Sequence, residues 1–254
     1  LKPKLFDAHL HIIDSRFSLT PNNGYLPDEF NCSDYLQRMA PYQLLGGAIV
    51  SGSFQAFDQT YLVAALREMG PSFVGVTQLP PSATDEEVLS LHAAGVRAVR
   101  FNLKRGGSAE IDQLDRMAHR FYDLASWHVE LYADSTDLPE LFNTLNSLPV
   151  VSIDHLGLSR MGFPTLLQLA ERGIRVKATG FGRVNFDVRV ALQQLYAANP
   201  DSLMFGTDLP STRAPRPYRD EDIALVGDVL GEEGIRKVLY ENAIALYRPA
   251  QMPD

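Results

Sequence analysis

The chain has 254 residues, 45% of them hydrophobic and 21% charged, with a net charge of −8. That is the composition of a globular protein with a sizeable core, and its acidity argues against a nucleic-acid or anionic-membrane surface. The single cysteine, Cys32, excludes an internal disulfide. No apolar run is long enough for a membrane-spanning helix and no leader-like segment opens the sequence, so a cytoplasmic protein is expected.

The first predicted element is a strand, Phe6-Asp7-Ala8-His9-Leu10-His11-Ile12. Strict alternation along it would place Asp7, His9 and His11 on one face and Phe6, Ala8, Leu10 and Ile12 on the other. Two imidazoles side by side suit metal coordination or the polarising of a substrate oxygen. A polar loop follows from Asp14 to Glu29, rich in Pro, Asn and Gly, and long enough to wall a site. Tyr25 within it either reaches over that site or packs the loop down. Asn31 or Ser33 then caps a helix to about Ala40.

Strand and helix alternate from there. Strands are expected at 46–51, 71–77, 95–103, 128–133, 149–154, 174–179 and 202–207. Helices are expected at 58–69, from the Thr84-Asp85-Glu86-Glu87 capping signature, and at 110–126, 138–145, 163–171 and 188–197. Two helical stretches, about 220–230 and 232–246, close the chain. Eight strand–helix units with no linker predict a single-domain (β/α)8 TIM barrel over residues 1–254. The alternative is a doubly wound open sheet, but no G-x-G-x-x-G follows the first strand.

In a TIM barrel the catalytic groups sit at the C-terminal ends of the strands, and here those ends are polar. The second ends in Ser51-Gly52-Ser53. The fourth sets Arg100 and Asn102 on one face, with Lys104 and Arg105 following. The fifth carries Glu130 and Tyr132, the sixth ends in Asp154-His155, and the eighth ends in Thr207-Asp208. The seventh carries Lys177 and Thr179, then Gly180-Phe181-Gly182-Arg183. Glu130 is expected to lie deep and to pair with Lys177. Asp208 could equally cap a helix, and His155 alone is uninformative. His92, His119 and His128 fall in helices or at a strand start and read as ordinary. Cys32, with no activating partner, reads as packing.

Taken together, His-x-His on the first strand, His155 after the sixth and Asp208 after the eighth resemble the amidohydrolase-2 group of the amidohydrolase superfamily. Val99-Arg100-Phe101-Asn102, Ile153-Asp154-His155-Leu156-Gly157, Phe205-Gly206-Thr207-Asp208-Leu209-Pro210 and Glu241-Asn242-Ala243 extend the resemblance along nearly the whole chain. Within that group it is most similar to the branch that hydrolyses lactones of sugar acids and of 2-pyrone-4,6-dicarboxylate. The resemblance implies Asp208 as the base that takes a proton from water. It implies His9, His11 and His155, with Asp208, as ligands of one divalent metal, zinc by preference, or as groups that polarise the carbonyl without metal. It also implies Arg100 and Arg105 as carboxylate-binding residues, and Tyr132, Ser51, Asn102 and Arg183 as further contacts to an anionic or sugar-like small molecule.

Tyr132 stands where two-metal members carry a histidine, which argues against a binuclear site. The competing expectations are a zinc-dependent decarboxylase of an aromatic or unsaturated acid, and a binding protein on a barrel that has lost turnover. Arg213 and Arg216 belong to the predicted rim, as substrate contacts or as solvated charges. A homo-oligomer is compatible with the sequence, which does not specify one.

Overall fold

Why the chain closes into a barrel is legible in its strands, which are short, buried on both faces and rich in Val, Leu, Ile and Ala. The structure, a computed structural model, describes residues 2–253. Eight parallel strands pair in sequence order: β1 (Lys4–Leu10), β2 (Gln43–Val50), β3 (Phe73–Thr77), β4 (Val96–Asn102), β5 (His128–Tyr132), β6 (Val151–Ile153), β7 (Arg175–Ala178) and β8 (Leu203–Phe205). The ring closes just beyond β8, where the Asp208 amide donates to the His9 carbonyl (2.7 Å) and the His11 amide to the Leu209 carbonyl (2.8 Å). This is the predicted (β/α)8 TIM barrel.

Helices α1 (Cys32–Arg38), α2 (Thr60–Met69), α3 (Asp85–Ala93), α4 (Leu114–Ala125), α5 (Leu138–Ser147), α6 (Phe163–Glu171) and α7 (Val188–Ala198) each follow a strand. Then come α8 (Asp220–Arg236), one π-turn and α9 (Asn242–Tyr247). Capping boxes open two of them, Asn31 with Asp34 for α1 and Thr84 with Glu87 for α3. The expected break between the last two helical stretches is present at Gly231, whose φ of +70° interrupts α8.

Two apolar clusters divide the interior. The larger lies between strands and helices. The smaller joins Phe6, Ala8, Ala48, Val50, Val74, Val76, Ala98 and Met204 inside the barrel to Tyr247 of α9 beneath it. Above this plug lies a buried polar layer. Lys177 pairs with Glu130, as expected, and Glu130 also accepts from the Tyr247 hydroxyl. His128 Nε2 lies 3.0 Å from the same carboxylate, so His128 belongs to this layer.

Strict alternation fails on β1. The pairing register with β2 shifts by one residue between Asp7 and Leu10, a bulge in which one extra β1 residue is accommodated. Phe6 and Ala8 therefore face the barrel interior while Asp7 does not. Its carboxylate accepts from Tyr35 of α1 (3.0 Å) and from the Thr207 amide and hydroxyl (2.8 and 2.6 Å). His9 and His11 then turn inward. The expectation that Asp7 shares their face is corrected: it buttresses the β1–β8 seam.

Candidate active site

Four of the predicted residues converge at the C-terminal mouth. His9 and His11 come from the end of β1, His155 from the turn after β6 and Asp208 from the turn after β8, each at most 4% exposed. The ring of His9 lies between those of His11 and His155, with centroids 5.0 and 4.9 Å away. Asp208 Oδ1 stands 3.4 Å from His11 Nε2 and 3.9 Å from His9 Nε2. Backbone strain marks two of the four: Asp208 has φ +59° and His155 φ +52°. L-residues adopt that region at a cost, most often where a function holds them there. Gly180 makes room for the site. A Cβ there would stand 2.8 Å from His155 Nδ1.

Each ring is fixed by its second nitrogen. His11 Nδ1 lies 2.7 Å from the Val50 carbonyl, which can only accept, so Nδ1 carries a proton and Nε2 faces Asp208. His155 Nδ1 is 2.7 Å from the Thr179 hydroxyl. His9 Nδ1 lies 3.1 Å from Lys177 Nζ. An ammonium can only donate, so Nδ1 accepts and neutral His9 carries its proton on Nε2, pointing into the site. Burial and the nearby charge of Lys177 hold the His9 pKa well below its usual range, and burial does the same to His155.

Burial alone would raise the Asp208 carboxyl, but Arg183, His155 and His11 outweigh it and hold it well below the ordinary carboxylate range. Arg183 Nε donates to Asp208 Oδ2 at 2.8 Å, while Oδ1 is buried without a hydrogen-bond partner among the described residues, as is His9 Nε2. The site thus presents an ionised carboxylate oxygen and an inward N–H.

His9, His11 and Asp208 offer ligand atoms close enough to hold one metal ion, and His9, Asp154 and His155 form a second such group. The predicted quartet is therefore split: His155 groups with Asp154 rather than with Asp208 and His11. The donor set of imidazoles and a carboxylate suits a divalent ion. The Lys177 contact opposes it, because it places the His9 proton where the ion would bind.

The mouth is a narrow cleft lined by Gly52, Ser53, Phe54, Asn102, Tyr132 and Thr212 together with Arg100, Arg105, Arg183 and Arg213. Arg100 is only 2% exposed. It donates through Nε and Nη2 to Asp154 (3.1 and 2.9 Å) and through Nη1 to the Ser51 carbonyl (3.0 Å), which leaves it little for a substrate. Ser51 is not at the cleft. Its hydroxyl bonds Tyr61 of α2 at 2.7 Å, and Ser53 takes the position expected of it. Asn102 lines the cleft and accepts from the Arg105 amide, holding that loop. Arg216 is tied to Asp222 (2.9 Å) and does not line the cleft. Residue patterning left Arg213 open between substrate contact and solvated charge, and the structure places it in the cleft lining; patterning missed Thr179 and Lys177 as partners of His155 and His9. Only the alternation of Lys177 and Thr179 along β7 signalled them.

A larger groove of about 550 Å³ near the start of α3 is lined by Phe57, Leu79, Pro80, Glu86 and Leu91 and contains none of these groups.

The sequence model of the family described as Amidohydrolase matches residues 6–248. A Comamonas testosteroni protein named 2-pyrone-4,6-dicarboxylate hydrolase is 26% identical over 279 residues, covering 97% of this chain and 90% of the relative. A solved Pseudomonas putida structure, provisionally named 2-pyrone-4,6-dicarboxylic acid hydrolase, is 26% identical with a TM-score of 0.78 and covers 98% of both chains. An Acinetobacter baumannii structure with the same provisional name has a TM-score of 0.82 at 22% identity, covering 96% of this chain and 99% of its own.

Proposed function

The chain belongs to the amidohydrolase family, and from that membership we propose that it hydrolyses the ring ester of a lactone bearing carboxylate, with Asp208 as the base. The observation that carries this reading is the approach of Asp208 Oδ1 to His11 and His9 in a buried pocket ringed by guanidiniums. The similarity to the Comamonas protein named as a hydrolase of 2-pyrone-4,6-dicarboxylate supports the substrate class.

Water beside Asp208 Oδ1 gives up a proton to that carboxylate as its oxygen adds to the lactone carbonyl carbon. The His9 Nε2–H donates to the carbonyl oxygen as charge develops on it, and the Arg183 guanidinium holds Asp208 in position. Collapse of the tetrahedral intermediate breaks the ring C–O bond, and the proton on Asp208 passes to the departing ring oxygen. The second proton of the water leaves the new carboxylic acid for solvent, and the product is an open hydroxy- or keto-acid with one carboxylate more than the lactone. A low carboxyl pKa makes Asp208 a weak base at rest. It nevertheless favours the ionised form that a base requires, and an ester needs less activation than an amide. In place of that donor, with the proton gone from His9 Nε2, a divalent ion, zinc by ligand type, held by His9, His11 and Asp208 would supply Lewis-acid polarisation of the same carbonyl.

The test combines a panel of carboxylated lactones, followed by proton release, with Asp208→Asn. Turnover is expected to fall by roughly 10³-fold or more while substrate binding, measured by calorimetry, changes by less than about tenfold. Near-normal turnover in the variant sinks Asp208 as base, and carbon dioxide release in place of ring opening assigns the decarboxylase instead. Metal analysis belongs in the same experiment. Lactone turnover that survives chelation in metal-free protein supports the His9 donor, and one zinc per chain with loss on chelation supports the ion.

A further inference from the structure

The four arginines of the cleft are not equivalent. Arg100 is neutralised by Asp154 and Arg183 by Asp208. Arg105 and Arg213 form no ion pair among the described residues, although both line the cleft and neither is fully exposed. The charge left over at the mouth is therefore two positive, in a chain whose net charge is −8.

Arg213 is held in an unusual way. It has φ +55°, on the loop that follows Asp208. Its Nη1 donates to the Asn22 side-chain oxygen (2.9 Å) and its Nη2 to the Ser53 hydroxyl (3.0 Å), both neutral acceptors from other loops. Its guanidinium lies 4.5 Å from the centre of the Tyr25 ring. Asn22 donates in turn to the Arg105 carbonyl, so one amide side chain joins the two unpaired arginines. Burial and the neighbouring Arg105 both press the Arg213 pKa down, the mark of a cation short of an anion. Bridged this way, the cleft is narrow, with about 20 Å³ of free volume, and it opens to solvent.

We propose that Arg213 is a specificity-determining residue that exchanges its neutral partners, Asn22 and Ser53, for a carboxylate of the incoming substrate. With Arg105 it makes the site selective for dianionic over monoanionic rings. This rests on the reading that the pocket takes a carboxylated lactone. A carboxylate offers two acceptor oxygens to the planar fork of arginine and charge-assisted bonds in place of neutral ones, so the exchange is favourable only for an anion. Tyr25 and Asn22 are positioning residues: they keep the fork aimed across the mouth.

The test uses inert rings and needs no turnover. Binding of benzene-1,3-dicarboxylate and of benzoate is measured by calorimetry on the full chain and on Arg213→Met and Arg213→Lys. The full chain is expected to prefer the dicarboxylate by at least about tenfold. Arg213→Met is expected to lose roughly 10- to 100-fold on the dicarboxylate and less than about threefold on benzoate, with Arg213→Lys between the two. Equal losses on both ligands, an unchanged preference in Arg213→Met, or no preference in the full chain overturns the assignment. Circular dichroism and melting of each variant exclude unfolding, and Arg213→Lys, which keeps the charge, serves should Arg213→Met not fold. Lactone turnover by the full chain is read separately. Selectivity that depends on Arg213 without any lactone turnover leaves this assignment standing and removes the lactonase reading.

Discussion

Lys177 occupies the barrel interior, and its ammonium faces Glu130 on one side and His9 Nδ1 on the other. Removing Lys177 alone leaves the buried Glu130 charge without its cation, a loss of about 3–5 kcal/mol. The pair Glu130→Gln with Lys177→Met removes both charges and is expected to recover most of that stability. It also frees His9 Nδ1 to carry the proton, so turnover should stay depressed by about tenfold or more with KM little changed. Full recovery of turnover in the double variant would show that Lys177 does not set the His9 tautomer. Acid unfolding gives the second readout. Burial pushes the Glu130 carboxyl up, but Lys177 and His128 outweigh it and bring it down to about 2 from 4.5. A depressed folded-state pKa gives stability that is complete above about pH 4.5 and lost as pH falls toward 2. Urea unfolding across that window should therefore weaken more steeply in the parent chain than in the double variant. The pairing itself was legible in the sequence, because Glu130 and Lys177 each alternate with core residues on strands of one barrel. The His9 contact was not, since it depends on how deep each strand sits, and residue spacing along β1 and β7 carries no information on that.

The elements that position the chemistry are the two edges of the β1–β8 seam. Gly206 follows β8 and packs against His9, where a Cβ would stand 2.5 Å from the His9 backbone nitrogen and 2.9 Å from its Cβ. Backbone cannot yield as a flexible side chain does. Gly206→Ala should therefore cost about 1–3 kcal/mol, as overpacking does, and should lower turnover more than it lowers the melting temperature would suggest. A variant with unchanged turnover would show that the seam does not set the His9–Asp208 geometry. The eight strand–helix units were readable from hydrophobic period and turn residues, as was the break at Gly231. The face assignment on β1 was not. A bulge inserts one residue without altering the local sequence signal, so alternation carried Asp7 into the site when its carboxylate belongs to Tyr35 and Thr207. Ser51 failed for a related reason: the strand ends one residue earlier, at Val50, and the side chain turns outward to Tyr61.

At the scale of the whole molecule two fields oppose one another. The net charge of −8 repels an anionic substrate at long range, while Arg105 and Arg213 attract it at the mouth. Both act through water, and both fade as added salt shortens the Debye length from about 30 Å at 0.01 M to about 3 Å at 1 M. The repulsion comes from charges spread over the surface. The attraction comes from two guanidiniums at contact distance in a narrow cleft, which focuses their field. The local term should win for bound substrate, so KM for a carboxylated lactone is expected to rise severalfold between 0.01 and 0.5 M salt with kcat unchanged. A neutral lactone should show no such dependence, and Arg213→Met should flatten it for the anion. A KM that falls with salt would mean that the overall negative field governs capture and that the two mouth arginines are already satisfied within the protein.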